Sequence, residues 1–106
     1  MFSQVWPRRQ WDLAELASGT WVEVQTESRT YTIVVVERGE AIISGHPRHC
    51  PTGVRIDVSA GSDGGRCCIA PGTRLKYKHP QRGWISTSSV RAVAVASPSS
   101  NKVTEQ

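Results

Sequence analysis

Apolar and polar residues alternate in short runs from Gly19 to Val95, and Gly, Pro or other turn residues separate nearly every pair of runs. Trp21–Thr26, Tyr31–Glu37, Ala41–Ser44, Val54–Ser59, Thr73–Lys78 and Val90–Val95 each read as a strand. The cleanest alternation sets Val54, Ile56 and Val58 against Arg55, Asp57 and Ser59. Val22 and Val24 likewise oppose Glu23 and Gln25, and Leu75 and Tyr77 oppose Arg74, Lys76 and Lys78. The run Ile33-Val34-Val35-Val36 is apolar on both faces, which predicts a strand covered from two sides or one at a barrel overlap.

Turn chemistry divides these runs. Arg38-Gly39 predicts a hairpin into Ala41-Ile42-Ile43, Gly61–Gly65 a wide turn, and Pro71-Gly72 the entry to Thr73–Lys78. Arg82-Gly83 opens a last hairpin in which Trp84–Thr87 returns through Ser88-Ser89 to Val90–Val95. Before the first strand, Asp12 and Glu15 have capping-box spacing, and Trp11 and Leu16 have that of a hydrophobic staple. Leu13, Leu16 and Ala17 share one face and Gly19 supplies a left-handed stop, so a helix of about two turns is expected, lying over one end of the barrel.

The expected fold is all-β: a small compact barrel of six to eight mostly antiparallel strands with one short N-terminal helix. Residues 11–95 form the barrel domain, 1–10 a flexible lead and 96–106 a disordered tail of Ser, Pro and Asn composition. A chain of 106 residues supports one modest core. Val22, Val24, Tyr31, Ile33, Val35, Ile42, Val54, Ile56, Val58, Leu75, Ile85 and Val93 are its expected members. Trp21 and Trp84 lie in strand segments and are expected to pack in the core or at a barrel end. Trp6, beside Pro7 and Arg8-Arg9, is expected to dock back onto the domain.

Charge changes the picture by segment. Residues 1–45 carry four bases and six acids, whereas residues 46–91 carry eight bases, two acids and all three histidines. That asymmetry points to an anionic partner. Its sharpest expression is the Arg74/Lys76/Lys78 face, where period-two spacing sends three cations to one side of a strand, about 7 Å apart. Such a row can track a phosphate backbone, and exposed aromatic neighbours, Trp84 or Tyr77, would let bases stack. The competing reading is a solvated strand face whose lysines discourage edge pairing. Arg55 and Arg91 are further anion-binding candidates on outward faces.

Other chemistry is less well supported. His46, His49 and Cys50 with Cys67, Cys68 and His79 offer zinc donors, but no Cys-x2-Cys spacing is present and adjacent strand cysteines face opposite ways. No nucleophile has a recognisable base and orienting group, and Gly61–Gly65 lacks the Lys-Ser/Thr ending of a phosphate loop. No metal, cofactor or catalytic residue is therefore expected. No stretch reaches the ~20 apolar residues of a membrane span, and the N-terminus has no apolar leader core. With three cysteines, an odd number, the expectation is a bacterial-type cytoplasmic protein with reduced thiols and no membrane association.

The run Leu13-x-x-Leu16-x-x-Gly19-x-x-Val22-x-Val24-x-Thr26-x-Ser28-x-x-Tyr31-x-Ile33, then Ser44-Gly45 and Ser86-Thr87-Ser88-Ser89-Val90, resembles short bacterial proteins of unassigned function. The resemblance covers most of residues 13–93 and implies a single small β-barrel, with no activity or site to carry over. Cys67-Cys68 and the His46/His49 loop stand outside it. Together these readings predict a non-enzymatic binding module for an anionic partner, nucleic acid or an acidic protein surface. The alternative is a protein-interaction or scaffolding domain that pairs through a strand edge or an apolar patch.

Overall fold

The structure, a computed structural model, describes residues 10–37, 39–48, 50–59, 61 and 67–96. The expected lead (apart from Gln10), the tail beyond Ala96, Trp6, His49 and most of the Gly61–Gly65 turn lie outside the described residues. The described residues form eight strands: β1 (Trp11–Asp12), β2 (Trp21–Thr26), β3 (Thr30–Glu37), β4 (Glu40–Ser44), β5 (Val54–Asp57), β6 (Cys68–Ile69), β7 (Arg74–His79) and β8 (Gly83–Ala96). Six of them form one antiparallel sheet in the order β5-β4-β3-β2-β8-β7, and β1 pairs with β6 apart from it. The end strands β5 and β7 come back alongside each other, so the sheet is a nearly closed barrel. Among the described residues no helix is long and apolar enough to cross a membrane.

Alternation places the core as period two requires. Val22, Val24, Tyr31, Ile33, Val35, Ile56, Val58, Leu75 and Val93 are all buried, and Val54 and Ile85 pack against them half-buried. Ile42 instead points outward. Pairing of Ile43 with Ile33 and of Ala41 with Val35 sends Ala41 and Ile43 to the inside. The hairpin is irregular between Val35 and Glu37, where Val36 is the extra residue, and that bulge sets the parity of β4. Among the described residues no second layer covers the doubly apolar run of β3. Its outward Val34 lies between Trp21 of β2 and Ile42 of β4, so an apolar row across neighbouring strands half-buries it.

The expected N-terminal helix is a single 3-10 turn, Leu13–Glu15. Asp12 caps it, its Oδ1 accepting from the Ala14 N–H at 3.0 Å. No second turn forms; Trp11 and Asp12 are engaged in β1, and the Leu13 N–H, a first-turn donor that a helix leaves free, donates to the Cys67 carbonyl at 3.0 Å. Leu16 is already extended. Buried Trp11 and Leu13 thereby join Cys67 and Ile69 in the same core as the barrel. Gly19 does take up a positive φ of 89°, but it closes a turn whose N–H donates to the Val35 carbonyl at 2.7 Å.

The Ser88-Ser89 turn does not form either. β8 runs unbroken for 14 residues and pairs with β7 in its first half and β2 in its second. Two bulges bend it between them: one residue is gained between Ser86 and Ser89 opposite Lys76 and Arg74, and Arg91 is gained between the partners of Gln25 and Thr26. At the first bulge the Thr87 hydroxyl accepts the Leu75 N–H at 3.1 Å and donates to the Ser88 carbonyl at 2.7 Å. Hydroxyl residues that signal a turn here supply the hydrogen bonds a distorted ladder lacks.

Gly45, after β4, has φ of 129°, and a Cβ there would stand 2.5 Å from the Thr30 carbonyl oxygen and 3.0 Å from the Tyr31 Cα. Both obstacles are backbone of the neighbouring β3 and cannot rotate away. Gly45→Ala is expected to lower stability by about 2–4 kcal/mol, the sum of backbone strain and forced displacement of β3. A denaturant midpoint shifted down at unchanged slope is the expected readout; an unshifted midpoint would show that the loop relaxes freely.

Candidate anion-binding face

β7 alternates strictly: Leu75, Tyr77 and His79 are buried, and Arg74, Lys76 and Lys78 are exposed. The inward residues anchor the strand. Tyr77 Oη lies 3.7 Å from the buried Cys50 Sγ. His79 Nδ1 accepts the N–H groups of Gln81 at 3.0 Å and Arg82 at 3.2 Å, which shapes the turn into β8. The cations therefore project from a strand held on its other side, at about 7 Å intervals.

β8 completes the surface. Register sets Trp84 opposite Lys78, Ser86 opposite Lys76 and Ser89 opposite Arg74. Trp84 is 43% exposed, contrary to the expected burial. The physical reason is parity, because Ile85 turns inward opposite Tyr77 and its strand neighbour must turn out. Trp21 is 51% exposed for the same reason, next to the fully buried Val22. Tyr77, the other stacking candidate, is inside. Arg91 is exposed at the second bulge of β8, two residues past the partner of Arg74. The face thus combines Arg74, Lys76, Lys78, Arg91, one tryptophan and serine hydroxyls. Among the described residues, Arg74, Lys76 and Arg91 form no ion pair.

Arg55 is separate from this group. Its guanidinium lies 2.8 Å from Glu40 and 3.7 Å from Glu37, so two carboxylates already answer its charge. It lines a groove of about 600 Å³ where β5 and β7 meet, together with Glu40, Asp57, Ser59, Lys78 and Pro80. Asp57 accepts from the Ser59 hydroxyl at 2.6 Å and the Ser59 N–H at 2.8 Å. Those two bonds, with a smaller contribution from the Lys78 charge, hold its carboxyl below the ordinary value of 3.8. The groove is of mixed charge, and the cationic row leads away from it.

His46, His79 and Cys50 make other contacts. His46 Nδ1 accepts the Arg48 N–H at 3.0 Å, and Cys50 is buried against Tyr77. Cys67 is buried and its thiol is pushed up to about 11, chiefly by burial, while Cys68 on the next residue is half-buried. Among the described residues no group of three or more His, Cys, Asp or Glu is placed to hold a metal ion.

The chain matches no protein-family model, no curated protein and no solved structure.

Proposed function

We propose that this protein is a non-enzymatic binding module whose β7–β8 face recognises an anionic partner. The observation that carries the reading is the row of Arg74, Lys76 and Lys78 on a well-anchored strand, extended by Arg91 and, among the described residues, bridged by no carboxylate, with only the field of Asp57 near Lys78. Three cations in line match a partner whose charge repeats, and exposed lysine and arginine bind it by releasing its counterions. Arg55, already bridged to Glu37 and Glu40, contributes little.

The test is a fluorescence-polarisation titration with labelled single- and double-stranded DNA and RNA at low and physiological salt. Saturable binding is expected, with log affinity falling against log salt with a slope of about −2 for three phosphate contacts on a single strand. Binding by polyglutamate and by no nucleic acid would assign the face to an acidic protein surface. An absence of binding to every polyanion at low salt would overturn the reading. Attention would then pass to the apolar row of Trp21, Val34 and Ile42 as a surface for a protein partner.

A further inference from the structure

We infer that the face takes single-stranded nucleic acid, with Trp84 as the platform on which a base stacks. This rests on the binding reading above and narrows it to one class of ligand. A cationic row alone holds any polyanion. What distinguishes this face is a large aromatic ring set directly across the ladder from Lys78 and turned to solvent on the cationic side. Cross-strand neighbours have their Cβ atoms about 5 Å apart, so a phosphate held at Lys78 brings an attached base within reach of the indole. The fold does not ask for tryptophan at this position. Its inward neighbour Ile85 makes the core contact, and Trp84 itself keeps 43% of its surface in water.

The outward neighbours of Trp84 in the ladder are Ser86 on β8, Lys78 directly across on β7 and Lys76 on the diagonal, so the exposed ring faces hydroxyl and cationic groups. Trp21, the other exposed tryptophan, offers a contrast. It lies between Val34 and Ala96 with Glu23 two residues along its strand, a surroundings of apolar and acidic groups that suits no phosphate. A duplex keeps its bases stacked on one another and has no free face for Trp84, whereas an unpaired strand does. Ser86 and Ser89, opposite Lys76 and Arg74, add hydroxyls that can reach sugar or phosphate oxygens along the same path.

The experiment uses the full chain and two probes of matched charge: a labelled oligothymidylate of about eight nucleotides and inorganic polyphosphate as its competitor. Trp84→Ala is expected to weaken oligothymidylate binding about 5- to 100-fold and leave the polyphosphate affinity unchanged. Trp84→Phe should keep most of the oligothymidylate affinity, and Trp21→Ala all of it. Circular dichroism of each variant verifies that the barrel is intact. Equal oligothymidylate affinity in wild type and Trp84→Ala overturns the stacking assignment and leaves the cationic face standing. An equal loss for both probes overturns it too, since it would make Trp84 a support of the strand. Failure of wild type to bind either probe removes the underlying reading and this one with it.

Discussion

Reversing three charges at once, in the variant Arg74→Glu/Lys76→Glu/Lys78→Glu, is expected to weaken nucleic-acid binding by about a hundredfold or more at low salt. The salt dependence should change with it, its slope flattening from about −2 toward zero as the phosphate contacts disappear. The fold should survive, because all three side chains stand in solvent and only the alternate residues of β7 enter the core. Exposed substitutions of this kind usually move stability by no more than about 0.5 kcal/mol. Arg55→Gln supplies the comparison: a cation already bridged by Glu37 and Glu40 has little charge to give a ligand, and its removal should cost less than about threefold. Unchanged affinity in the triple variant would sink the location of the site. A loss in Arg55→Gln equal to that of the triple variant would move the site to the groove between β5 and β7.

How far the chain could be read in advance depended on whether a residue's position follows from its own strand or from the pairing of strands. Val22 and Val24, Ile56 and Val58, Leu75 and Tyr77 face inward because one strand's alternation is sufficient to orient them. Ile42 was misplaced because the parity of β4 is set by a bulge in β3, a feature without a residue signature of its own. Ser88 and Ser89 misled for a related reason. Serine serves turns and bulges through the same side-chain hydrogen bonds, and only the long partnership of β8 with both β7 and β2 decides between them. The helix is cut to a single turn in a segment whose start, Trp11, Asp12 and Leu13, is docked against Cys67, Cys68 and Ile69, more than fifty residues away. Local capping signals carry no information about such distant partners.

The candidate site was legible in its charges and illegible in its aromatic. Alternation places Arg74, Lys76 and Lys78 together on one face, and nothing beyond β7 is needed to see it. The exposure of Trp84 was in fact implied by the expected burial of Ile85, just as that of Trp21 was implied by Val22. The general preference of tryptophan for the interior outweighed the parity of its own strand, and parity prevails. What joins Trp84 to the cations is the β7–β8 register, which no single strand encodes.

At the alkaline end of the pH range the protein is expected to unfold cooperatively, with stability falling from about pH 9. Three buried acids drive this. Burial, followed by the fields of Cys68, Asp12 and Asp57, pushes the Cys67 thiol from 9.0 to about 11. Burial first, and then the nearby Cys50, raises Tyr31 above 10.0 against the opposing charge of Arg29. Tyr77 is raised further, by burial, by its hydrogen bond to Cys50 and by the charges of Cys50 and Tyr31. Each raised group is protonated in the folded chain over a range where the unfolded chain has released its proton. The unfolded state then binds fewer protons, so stability is fully present below the ordinary values and is lost as pH climbs through the folded ones. One such group removes up to about 1.4 kcal/mol per pH unit between its unfolded and folded values, and the contributions add where those ranges overlap. A domain of this size holds only about 5–15 kcal/mol, so circular dichroism and tyrosinate absorbance should change together above about pH 10. Tyr77→Phe isolates one proton: it forfeits the Cys50 contact, at a cost of about 1 kcal/mol near neutral pH, yet its stability should decline less steeply above pH 10. Tyrosinate that appears gradually near pH 10 while the dichroism stays native would show instead that Tyr31 and Tyr77 titrate in the folded barrel as they do in water.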